Sequence, residues 1–152
     1  MTRGNQRIAL LILIPMLIFT YFITVYSQTK SHNYPEKVIY EYFEYKNEKD
    51  IESISKLLYN PQDISYIQLE INNLNNISLI SVIEEKDESL ITAYTKYNNE
   101  FSERNVKIYK VKYQVSYNSD SSRYDQSGIY ESWCFLTKNN SNSKWYIDIL
   151  DI

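Results

Sequence analysis

The chain has 152 residues, a formal charge of −3, one cysteine and one histidine. That length points to a single domain once any targeting segment is set aside, and 43% hydrophobic with 23% charged residues is ordinary for a globular protein. With 2 Gly and 3 Pro it is not a linker-rich, collagen-like or disordered chain, and one cysteine forms no intramolecular disulfide.

Charge is unevenly spread. Arg3, Arg7 and Lys30 lie in or beside the N-terminal segment, which holds no acid, leaving 13 bases against 19 acids in the remainder. A body with a balance of −6 does not attract a polyanion, so nucleic acid is not an expected partner. Lys107, Lys110 and Lys112 sit close together and read as a solvated strand face.

Residues 1–7 read as a short cytoplasmic tail. Ile8 to Tyr26 (IALLILIPMLIFTYFITVY) carries no charge, and as a helix it would span roughly 28 Å, about the hydrocarbon thickness of a bilayer. A soluble helix apolar on every face would have to be buried all round, which a domain this small does not provide. Arg3 and Arg7 before it place the N-terminus inside and the rest outside by the positive-inside rule. The expected location is therefore the cell membrane, with a single pass and the C-terminal domain outside the cytoplasm. The alternative is a signal peptide cleaved after Ser27, which would release the same domain by secretion.

Residues 27–34 form a polar tether containing His32. Pro35 then opens a helix whose apolar stripe is Val38, Ile39, Tyr42, Phe43 and Tyr45. Asp50 caps a second helix with Ile51, Ile54, Leu57 and Leu58 on one face, and Asn60-Pro61 ends it. Asp63 to Asn73 fits either a helix (Ile64, Ile67, Ile71) or a strand (Ile67, Leu69, Ile71). Asn72 to Asn76 reads as a turn, Ile77 to Glu84 as a strand. Asp87 caps a further helix with Leu90, Tyr94, Tyr97 and Phe101 spaced along one face.

From Val106 the period changes to two. In VKIYKVKYQVSY, Tyr109, Val111, Tyr113, Val115 and Tyr117 alternate with Lys110, Lys112, Gln114 and Ser116, the clearest strand signal in the chain. Ile129 to Lys138 and Lys144 to Ile152 are two more strands, separated by the turn NNSNS. Turn-linked neighbours give an antiparallel meander. The whole reads as an α+β domain over residues 35–152, its helices packed on one face of a sheet of about four strands.

That order, with the phrases PEKVIYEYFEYKNEKDIESISKLL, VKIYKVKYQVSY, ESWCFLTK and SKWYIDILDI, resembles the nuclear-transport-factor-2-like (cystatin-like) superfamily. Within it the domain is similar to a Gram-positive bacterial family of unknown function, made up of small anchored or lipoprotein-type proteins. The resemblance implies a curved sheet wrapped around helices as a cone with a possible pocket. It implies no chemistry, because members range from isomerases to secretion-machine subunits.

Few residues suggest a reaction. Cys134, mid-strand between Trp133 and Phe135, lacks a basic neighbour and reads as a buried, inert thiol. His32 precedes the fold, which leaves the domain no histidine for a dyad or metal site. Asp148, in the last strand, is the one weak catalytic candidate: inside a cone, a desolvated carboxylate can act as a base. The alternation of Trp145, Ile147 and Ile149 against Tyr146, Asp148 and Leu150 instead puts it on a wetter face. Tyr130 and Glu131 are weaker still. Glu84, Glu85, Asp87 and Glu88 lack the spacing of a calcium loop and read as a turn plus a helix cap. The stripe Tyr109 to Tyr117 reads as a core face. No cofactor or metal is expected. The expected function is a non-enzymatic accessory domain, moored through residues 8–26, that binds a protein, peptide or small apolar ligand. The alternatives are a subunit of a secretion or conjugation apparatus, and a small isomerase-like or hydrolytic enzyme using Asp148.

Overall fold

The computed structural model describes residues 34–61, 64–119, 126–141 and 143–150. The apolar segment 8–26 and residues 27–33 of the tether, His32 among them, lie outside the described residues. Among the described residues, no helix is long and apolar enough to cross a membrane.

Residues from Pro35 onward form one compact unit. Helix α1 (Glu36–Glu48) ends at Lys49, whose φ of 59° is the left-handed turn that stops a helix. Helix α2 (Ile51–Ser55) starts where Asp50 Oδ1 accepts from Ser53 N at 3.0 Å. The ambiguous stretch is helix α3 (Ile64–Asn73). Its helical set goes inward, with Ile64 and Ile67 on the core and Ile71 buried, while Leu69 is 72% exposed. Strand β1 (Leu74–Glu85) follows directly, so the polar run Asn72 to Asn76 is not a turn. Helix α4 (Glu88–Tyr97) is capped by Asp87, which accepts from Ser89 N. Strands β2 (Val106–Tyr117), β3 (Gly128–Thr137) and β4 (Tyr146–Leu150) complete a four-stranded antiparallel sheet in chain order.

The alternation in β2 separates the two sides of the sheet. Tyr109, Val111, Tyr113 and Val115 are buried with Ile39, Tyr42 and Phe43 of α1, Ile54 of α2 and Ile71 of α3. On this inner side α1 is also tied to β1, because the Asn47 amide both donates to Ile77 O and accepts from Ile77 N. The opposite parity of β2 begins with Val106 and Ile108, which pack under Tyr94, Leu90 and Ile91 of α4, Phe101 and Phe135. The expectation that the helices share one face is therefore corrected: α4 lies on the outer side. Two apolar residues at the start of β2 face outward there and need a cover.

Both edge strands depart from simple alternation. β1 carries a register shift between Leu79 and Ser81. In β4, Leu136 pairs with Ile147 and Phe135 with Ile149, so Asp148 is the extra residue of a bulge. That bulge overrides the expected period: Ile147 is buried, Ile149 is 42% exposed and Leu150 returns to the core. The free edge of β4 is covered by the segment after α2, through Tyr59 N to Ile147 O at 2.7 Å and Ile147 N to Leu57 O at 2.8 Å.

Candidate functional site

Asp148 emerges from the bulge toward the outer side. Its Oδ2 accepts a hydrogen bond from the Tyr94 hydroxyl of α4, and the Tyr94 ring stacks on Phe135, with centroids 4.8 Å apart, and on Phe101 at 6.3 Å. Burial, and next the hydrogen bond to Asp148, hold the Tyr94 phenol far above its ordinary pKa. Asp148 is thus held against α4, on the side of the sheet away from α1. Tyr97, expected on the same stripe as Tyr94, is 89% exposed, because α4 ends there and only Phe101 folds back onto Tyr94.

Tyr59 joins this corner through the β4 edge. Its ring meets Phe101 edge-on at 4.9 Å and Tyr146 at 6.3 Å, and its hydroxyl donates to Glu100 Oε2 at 3.5 Å. Burial first, then the charge of Glu100 and more weakly that of Asp148, push the Tyr59 phenol upward. The rings of Tyr59, Tyr94, Phe101 and Tyr146 and the carboxylates of Asp148 and Glu100 therefore gather at one end of the outer side. The sequence pattern hid this corner, since its members come from four separate segments.

The inner side holds a different polar group, which periodicity alone also missed. Lys46 is fully buried. Its Nζ forms an ion pair with Glu70 Oε2 at 2.6 Å and lies 5.6 Å from the centre of the Tyr42 ring. The hydroxyl of Tyr117 donates to Glu70 Oε1 at 2.7 Å. Burial lowers the Lys46 pKa and Glu70 opposes the shift. The available signal was spacing: Lys46 completes the helical set Ile39, Tyr42, Phe43.

The remaining residues singled out in the sequence have structural settings. Cys134 is fully buried, and burial pushes its thiol upward, away from the thiolate form. Glu131 bridges Lys110 at 2.9 Å and Lys112 at 3.5 Å on the solvated face, and its pKa is lowered chiefly by the Lys110 hydrogen bond. Tyr130 donates to Gln126 O at 2.7 Å and stacks beside Tyr113. Tyr109 and Tyr113 are buried, so the tyrosine stripe is core. Glu84 pairs with Lys107, and Glu85 Oε1 accepts from the amides of Lys86 and Asp87. Among the described residues, no three His, Cys, Asp or Glu side chains are grouped to hold a metal ion.

Residues 36–150 match a family described as a domain of unknown function, DUF4829. The chain belongs to that family. No curated protein and no solved structure matches it. The matched range runs from the first residue of α1 to the last of β4, so both polar groups, Lys46–Glu70 and Tyr94–Asp148, lie within the DUF4829 domain.

Proposed function

We propose that this DUF4829 protein is a non-enzymatic accessory domain, moored outside the cytoplasm through residues 8–26, that binds a partner protein on the outer side of its sheet. The observation carrying this reading is an asymmetry of filling. The inner side is occupied by side chains, with Ile39, Ile54, Ile77, Leu136 and Ile147 almost wholly buried, whereas Ile83, Ile129 and Trp133 stay 61%, 59% and 39% exposed on the outer side. Apolar groups left exposed on one face of a sheet fit protein recognition. The inert thiol of Cys134 and the engagement of Asp148 by Tyr94 support binding over catalysis. The order of helices and the antiparallel meander support wider kinship with the nuclear-transport-factor-2-like superfamily.

Two measurements in intact cells test the reading. A membrane-impermeant maleimide should label Tyr66→Cys, an exposed site on α3, while Cys134 stays unlabelled until the protein is denatured. A photo-crosslinking residue at Trp133 should give a discrete protein adduct and one at Tyr66 none. Cytosolic protection of position 66, or the absence of any adduct at 133, would refute the proposal. The same exposed face also fits a self-associating subunit of a secretion or conjugation apparatus. In that case the adduct at Trp133 is a second copy of the chain.

A further inference from the structure

The corner around Asp148 combines features that recognise a cation. Tyr59, Phe101 and Tyr146 are half-buried, and Tyr94 closes the cluster from beneath. Aromatic faces attract cations through their quadrupole, most strongly where water is partly excluded. Two carboxylates stand at these rings. Among the described residues, Tyr94 takes one oxygen of Asp148 and leaves Oδ1 without a hydrogen bond, and Glu100 is reached only by the long contact from Tyr59. Neither carboxylate has a lysine or arginine partner among the described residues, although Glu52, Glu70, Glu84 and Glu131 each have one. One of these rings already faces an ammonium of the chain: Lys144 Nζ lies 4.7 Å from the centre of the Tyr146 ring while donating to Lys56 O.

We infer that Tyr59, Tyr94, Phe101 and Tyr146, with Asp148 and Glu100, form a binding site for a primary ammonium group of the kind a lysine side chain on the partner protein presents. Two carboxylates favour a cation with N–H donors over a quaternary one, because an N–H can bond the open oxygens while its methylene stem lies along the rings. This rests on the reading of the domain as a protein binder and names what it recognises.

The test is calorimetric titration of the full-length chain, in a detergent without a choline headgroup, at constant ionic strength. The probes are Nα-acetyl-lysine amide, its Nε-trimethyl form and its neutral Nε-acetyl form. The first should bind with a dissociation constant on the order of millimolar, the trimethyl form more weakly, and the acetylated form not detectably. Asp148→Asn keeps an acceptor for Tyr94, and Glu100→Gln lies in an exposed turn, so both retain the fold. The first should weaken binding about tenfold and the second severalfold. Equal binding of the acetylated probe, stronger binding of the trimethyl probe, or no change in Asp148→Asn would overturn the proposal. A protein adduct at Trp133 with no lysine binding refutes this site and spares the protein-binding reading. Lysine binding without any adduct does the opposite.

Discussion

The two sides of the sheet handle buried polarity in opposite ways. On the inner side a single ion pair, Lys46–Glu70, is enclosed by apolar side chains and linked to β2 through Tyr117. On the outer side Asp148 is fastened to Tyr94 by one oxygen and left half open, with Glu100 and three more rings beside it. A polar group sealed inside a core holds elements in register. One left partly open at an edge strand can meet something else. The contrast fits the proposed division, with construction on the inner side and recognition on the outer.

The largest effect expected from breaking this contrast is on the inner side. Glu70→Ala strands the Lys46 ammonium and should lower unfolding stability in urea by about 3 kcal/mol, the low end for a buried pair because Glu70 keeps some contact with water. Replacing both partners, as Lys46→Met with Glu70→Leu, should restore stability to the wild-type level or above it. A double variant as weak as Glu70→Ala would show that the pair stabilises the fold beyond what apolar packing supplies.

On the outer side, Tyr94→Phe removes the hydrogen bond to a charged acceptor and should cost about 1.5 kcal/mol in the same assay. Alkaline pH sharpens the comparison further. Tyr42 inside and Tyr94 outside both have phenol pKa values raised in the folded state, chiefly by burial. Above about pH 10 the unfolded chain ionises these phenols while the folded chain keeps them protonated, so stability should fall as pH rises. Tyr94→Phe should make that fall shallower in a urea series from pH 9 to 11. Glu131→Gln, on the solvated face, should leave the urea midpoint unchanged within error, since exposed ion pairs contribute little.

Much of the architecture was legible in the residues, and the gaps have physical reasons. The period of two from Tyr109 to Tyr117 places its side chains correctly, and the caps at Asp50 and Asp87 start their helices where expected. The stretch Asp63 to Asn73 fitted two periods at once, and tertiary packing chose the helix that sends Ile64, Ile67 and Ile71 to the core. Asp148 lies on the wetter face that the alternation gave it, but Ile149 and Leu150 exchange sides, because a bulge adds one residue to a strand and leaves no mark in the alternation. Lys46 was missed because a lysine at an inward helical position reads as a break in the stripe until its acid, 24 positions away in the chain, is brought to it by α3. Residues 8–26 lie outside the described residues, and the mooring they are expected to provide stands on hydropathy and flanking charge.

The division of labour itself is tested by measuring the affinity for Nα-acetyl-lysine amide in the Lys46→Met, Glu70→Leu double variant beside Asp148→Asn. The account predicts wild-type affinity in the first, whose changes are confined to the inner side, and about tenfold weaker binding in the second. Loss of affinity in a folded double variant, with Asp148→Asn unaffected, would contradict it.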